Sequence, residues 1–232
     1  MRSFPFPDQI ESREELQRDV LYRKIDPEKY TEISDQAWNT GVAAMTDLLQ
    51  RYPDSDILEI CEKEGLQIKH ECKDNVTGGV RFFSEYYSAK KQIVMYDVSV
   101  ALWAQENGMK LEDAERLLLS HEMFHHLECT KIGMTSDLYK VPWIEIGKLK
   151  IGTCGIRALS EIGAHGFSYT YYKSKDLIRT EPSAASTKDV TKLRNLALDE
   201  VGLRSSRGMK GFADIPLIGG LMSKNRNKPK RL

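Results

Sequence analysis

Apolar residues recur every three or four positions in some stretches of this chain and alternate or cluster in others. The change of period lays out its elements. Ala37, Trp38, Gly41, Val42, Met45, Leu48 and Leu49 follow helical spacing and predict a helix from about Asp35 to Gln50, ended by Pro53. The first thirty residues are polar and charged, with a short helix from Glu11 to Tyr22. Asp54 or Ser55 is placed to cap a third helix that runs through Cys61 and Lys63 and stops at Gly65. The texture then changes. Leu66-Gln67-Ile68 alternates, the run from Val80 to Tyr87 is rich in aromatics, and Gln92-Ile93-Val94-Met95-Tyr96 is compact and apolar. These predict three strands, with Gly78-Gly79 and Ser88-Ala89-Lys90-Lys91 as turns.

Asp97 is placed to cap a helix through Val100, Leu102 and Trp103, closed by Asn107-Gly108. The next helix, about Leu111 to Cys129, carries Ala114, Leu117, Leu118, Phe124 and Leu127 and reads as mostly buried. Gly133, Pro142, Gly147, Gly152 and Gly155 make 130–155 a loop with short extended pieces. Helices follow at roughly Ile156–Tyr172 and Lys188–Val201, the second ended by Gly202.

These elements imply an α+β fold, with a small, mostly antiparallel three-stranded sheet packed on the helix of 111–129 and the one after it. Extra helices lie at both ends. The chain divides into an N-terminal extension (1–33), the main domain (34–173), a helix packed on it (174–202) and a basic tail (203–232).

With 232 residues, 41% of them hydrophobic and 29% charged, the chain is long enough for a sizeable core and has a globular composition. Formal charge is zero, so no general basic footprint for nucleic acid exists. Eight Lys or Arg sit in 203–232 against a lone Asp214, which leaves the remainder net acidic by seven. Cys61, Cys72, Cys129 and Cys154 form no C-x-x-C pair, which argues against a zinc ribbon and a dense disulfide framework; their even number is compatible with one or two bridges. No signal-peptide core and no apolar run of transmembrane length is present, so a reducing cytoplasm is the expected compartment.

The chemistry concentrates at His121-Glu122-Met123-Phe124-His125, an H-E-x-x-H pattern inside a predicted helix. Residues four apart project from one face, so both imidazoles can reach one metal ion, with the Glu122 carboxylate beside a water to be activated. Catalytic zinc usually takes a third protein ligand. A metzincin extension would need Gly at 128 and His at 131, where this chain has Glu128 and Lys131, so that solution is excluded. Glu161, thirty-six residues beyond His125 and mid-way along the next helix, is the preferred third ligand, because two histidines with one glutamate form a common catalytic set. His165 shares its face and is the rival, either as ligand or as a donor to a substrate oxyanion. Tyr169 lies one turn further along that face and is the tyrosine placed to reach the site, while Tyr171 and Tyr172 read as packing residues. His126 points about 100° away from His125 and reads as a supporting or surface residue. His70 with Cys72 reads as a strand-end pair without partners, and Cys129 and Cys154 as ordinary thiols.

From about Trp38 to Tyr172 the pattern resembles the ImmA/IrrE-like minigluzincin metallopeptidases. The resemblance rests on the N-terminal helix, the run Ile57 to Leu66, the strand Ile93-Val94-Met95-Tyr96, the segment His121 to Leu127, and Glu161-Ile162-Gly163-Ala164-His165-Gly166-Phe167. That last segment looks like the family's E-x-x-A-x-x-F helix, and the resemblance implies His121, His125 and Glu161 as zinc ligands and Glu122 as general base. Two features depart from the family: the loop between the two helices is longer, and the second helix runs into tyrosine-rich sequence.

The expected function is therefore zinc-dependent hydrolysis of a peptide bond in a protein or peptide substrate, with His165 or Tyr169 stabilising the oxyanion. The strand Ile93–Tyr96, as a sheet edge beside the cleft, would pair with an extended substrate. A competing reading is a metal-binding regulatory module that acts by binding a partner and cleaves nothing. A weaker one gives the basic tail, with its apolar run Ile215 to Met222, a role in contacting nucleic acid, a membrane surface or another anionic partner.

Overall fold

The computed structural model describes residues 4–147 and 149–175. Within them the fold is α+β. Helix α1 spans Tyr30–Arg51, longer at its start than the apolar spacing alone marks, and α2 spans Ile57–Lys63. The cap of α2 is neither Asp54 nor Ser55. Asp56 takes that place, its carboxylate accepting from the Glu59 amide at 3.0 Å. Gly65 closes α2 with φ at +77°, where the Leu66 amide reaches back to the Cys61 carbonyl.

Five strands follow: β1 (Gln67–Glu71), β2 (Asn75–Thr77), β3 (Val80–Phe82), β4 (Ser84–Tyr87) and β5 (Gln92–Tyr96). The aromatic run 80–87 is thus two strands. Arg81, buried against the Asp74 carboxylate at 2.7 and 3.0 Å, draws β3 into a separate hairpin with β2, and Phe83 turns into the core. The main sheet has the order β1-β5-β4, with β1 parallel to β5 and β4 antiparallel to it. Three of the four strand pairings are antiparallel. Strand β5 is central, which corrects its expected place at the edge; β4 holds that edge.

Helix α3 (Asp97–Glu106) follows β5 directly. Tyr96, not Asp97, stands at its cap position, and the Asp97 carboxylate meets His70 Nδ1 at 2.8 Å. Helix α4 (Leu111–Leu127) runs into a π-helical turn, Glu128–Ile132. The stretch expected as loop with short extended pieces forms a ribbon of two longer strands, β6 (Lys140–Ile146) paired antiparallel with β7 (Leu149–Gly155). On one ribbon face Ile144 stands opposite Ile151 and Ile146 opposite Leu149, all four exposed. Helix α5 (Arg157–Ser174) completes the described chain. The helix expected over 188–201 and the basic tail lie outside the described residues. No described helix is long and apolar enough to cross a membrane.

Helix α5 lies between α1 and α4, and glycines set how closely. A Cβ on Gly41 of α1 would collide with the Gly163 carbonyl of α5, one on Gly166 with the Trp38 carbonyl, and one on Gly163 with the Phe124 ring of α4. The N-terminal residues are not an appendage. Phe6 is buried with Met45, Trp103, Phe124 and Phe167 in the larger core, and Leu16, Leu21 and Ile25 pack with Trp38, Ile156 and Ile162 in the smaller one. A boundary at 33/34 therefore has no structural counterpart.

Candidate metal centre

Helix α4 places His121 and His125 one turn apart on the face turned toward α5, and their Nε2 atoms stand 3.3 Å apart. Glu161, in the second turn of α5, brings Oε2 to 3.3 Å from His121 Nε2 and Oε1 to 3.7 Å from His125 Nε2. Among the described residues these three form a group of metal-capable side chains with ligand atoms within 4.8 Å of one another. Ligands about 2.0–2.1 Å from a tetrahedral ion are separated by about 3.3–3.4 Å, so the two shorter spacings match zinc. Glu161 Oε2 is buried without a hydrogen-bond partner despite that proximity, as befits an atom shaped for a cation rather than a proton donor. The donor set of two imidazoles and one carboxylate suits zinc as well. Burial alone would raise the Glu161 carboxyl; the imidazoles of His121 and His125 outweigh it and hold it at about 2.

The group opens onto a cleft of about 720 Å³. Glu122 lines it, and its Oε1 accepts from the Ser84 hydroxyl at 2.8 Å, at the start of edge strand β4. Arg18 and Arg157 also border it. Arg18 is paired with Glu15.

His165 occupies a different environment from the one its spacing suggested. Its ring is fully buried, stacked on Phe6 at 5.8 Å between centroids, with Nδ1 at 3.2 Å from the Ser12 hydroxyl. It does not line the cleft and is not in the ligand group, and burial together with neighbouring His121 pushes it down to about 3. An oxyanion donor must face the substrate, so that role has no geometric basis here. Tyr169 also lies away from the cleft, its ring 5.2 Å from that of Phe4 and 5.5 Å from that of Trp38. The reason is helical drift. Each i,i+4 step turns a further ~40° and rises ~6 Å, so two steps from Glu161 bring the side chain round to the α1 side. His126 is buried and meets the Tyr86 hydroxyl through Nδ1 at 3.0 Å. His70 is not without partners: besides Asp97, its Nε2 lies 3.4 Å from Glu115. All four cysteines are free thiols.

Three supporting residues were not singled out from sequence. Ser84 holds Glu122; nothing in a serine at a strand start announces this. Glu128 meets His125 Nδ1 at 3.0 Å, and its position three residues on, hence on the same helix face, was a usable signal. Ser160, beside Glu161, donates to Glu128 at 2.9 Å. Glu128 is held below the ordinary carboxylate range, because the His125 and Thr135 hydrogen bonds outweigh the effect of burial. His125 is raised to about 9, burial being outweighed by Glu128 and by the charges of Glu161 and Glu122.

No protein-family model matches the chain. No curated protein matches it either. No solved structure matches its fold.

Proposed function

We propose that this protein is a zinc-dependent metallopeptidase of minigluzincin type, in which His121, His125 and Glu161 hold the ion and Glu122 is the general base. The observation that carries the reading is the convergence of His121 Nε2, His125 Nε2 and Glu161 Oε2 at spacings that suit a tetrahedral ion, beside a cleft that Glu122 lines. A bound zinc ion supplies a Lewis acid that polarises the scissile carbonyl and lowers the pKa of water to ~7. Glu122 accepts the proton of the attacking water and passes it to the leaving amine. The Ser84 hydroxyl occupies one of its oxygens and fixes the plane of the carboxylate. Edge strand β4, with Ser84, Glu85 and Tyr86 along the cleft, takes the place first expected of β5 in pairing with an extended substrate backbone.

The test combines metal analysis with hydrolysis of an unfolded protein such as casein. Wild type binds one zinc and cleaves, and a chelator stops it. Glu122→Gln keeps the metal and loses cleavage, while Glu161→Ala loses the metal. Cleavage by purified Glu122→Gln, or metal retained in Glu161→Ala and lost in His165→Ala, would sink the assignment. Full zinc occupancy with no cleavage of any protein would leave the binding-only alternative.

A further inference from the structure

We propose that Glu128 is the positioning residue of the metal centre, fixing both the tautomer of His125 and the placement of Glu161. The inference rests on the metal-site reading above and concerns how that site is held ready. Glu128 follows the end of α4, in the first position of the π-helical turn, and its side chain is 1% exposed. Two donors and one imidazole nitrogen converge on it. Its Oε2 faces His125 Nδ1 at 3.0 Å. Its Oε1 takes both the Thr135 amide at 2.8 Å and the Ser160 hydroxyl at 2.9 Å. A histidine that holds an ion through Nε2 carries its ring proton on Nδ1, and Glu128 Oε2 stands where that proton has to be accepted. With the proton on Nδ1, the Nε2 lone pair faces His121 Nε2 and Glu161, where an ion would sit. The same carboxylate anchors Ser160, the immediate neighbour of Glu161, so one side chain sets the position of two of the three ligands.

His121 has no equivalent device. Its Nδ1 is buried without a hydrogen-bond partner, and its ring is held by contact with Phe6 and His165. The hydrogen-bonded orientation of the site therefore runs through Glu128.

An isosteric substitution separates positioning from packing. In Glu128→Gln the two donors on Oε1 require the amide oxygen there, because the Thr135 N–H cannot turn away. The amide NH2 then faces His125 Nδ1 and makes it an acceptor. The imidazole proton moves to Nε2 and donates toward His121 Nε2, where it blocks the metal. Ser160→Ala removes one donor and leaves the carboxylate and the tautomer as they are.

The experiment measures zinc affinity by chelator competition and the His125 tautomer by ¹⁵N NMR of the zinc-free full chain, at a pH above the raised His125 value so that the ring is neutral. Glu128→Gln is expected to lose about 10- to 100-fold in zinc affinity and to show an Nε2-protonated His125, with its zinc-free thermal midpoint close to wild type. Ser160→Ala is expected to lose about three- to tenfold in affinity, because it frees the neighbour of Glu161, and to keep the wild-type tautomer. Wild-type affinity in Glu128→Gln, an unchanged tautomer, or equal losses in both variants would overturn the proposal. If wild type takes up no zinc, the metallopeptidase reading fails, and the tautomer measurement still decides separately what Glu128 does to His125.

Discussion

Glu122 shows what a single hydrogen bond does in this site. On the proposed reading this carboxylate collects a proton from one direction and needs its plane fixed, and the Ser84 hydroxyl bonds it from the neighbouring strand at 2.8 Å. Ser84→Ala should leave zinc content and KM unchanged and lower kcat about tenfold, since a hydrogen bond to a charged group contributes roughly 1.5 kcal/mol and 1.4 kcal/mol corresponds to a factor of ten. Steady-state kinetics with metal analysis checks this, and a matching rise in KM would point to substrate binding instead. The histidines divide on the same scale. His121 and His125 meet at their Nε2 atoms, whereas His165, one turn beyond Glu161, is sealed beneath Phe6 and bonded to Ser12. Sequence spacing placed all three in one neighbourhood and could not tell which would face the cleft.

Among the elements, the crossing of α1 and α5 determines where Glu161 sits. Gly41 meets the Gly163 carbonyl backbone to backbone, so a methyl there has no side chain to push aside. Gly41→Ala gains about 1 kcal/mol of helix propensity and loses about 3 kcal/mol to overpacking, a net cost near 2 kcal/mol. Urea denaturation of the metal-free protein measures it, and an unchanged or raised midpoint would show that the helices can separate freely. The helices were legible in sequence because their apolar stripes are long: Ala37 to Leu49, and Ala114 to Leu127. The ribbon β6–β7 was not, because Pro142 and three glycines carry the punctuation of a loop while Gly147 and Gly152 in fact take positive φ within a hairpin. The parallel pairing of β1 with β5 escaped for another reason: local sequence sets a strand's faces, and which strand lies beside it depends on contacts distant in the chain. The motif and Glu161 were legible because helical spacing and residue chemistry suffice for them. Ser84 was not, because it comes to Glu122 only when β4 is laid against α4.

At the scale of the molecule, the N-terminal residues close the site from behind. Their polar composition suggested an extension, yet Phe6 is 3% exposed and touches Trp103, His121 and His165 at once. The 3-10 helix Glu11–Arg18 packs against α5 through buried Ser12, Glu15 and Leu16, a face that apolar spacing does not reveal because two of its three residues are polar. Phe6→Ala should cost about 3–5 kcal/mol, a large part of the 5–15 kcal/mol that stabilises a typical domain. A loss below about 1 kcal/mol in urea denaturation would show that the segment is detachable, since that is the range of ordinary surface substitutions. The glycine contacts between α1 and α5 have a kinetic consequence. Backbone that touches backbone has no rotamers to search, so helix α5 carries Glu161 to its place as the domain folds. On the proposed reading, an arriving ion would find its ligands in register, and the rate at which it settles would depend on shedding its own water and passing the cleft mouth.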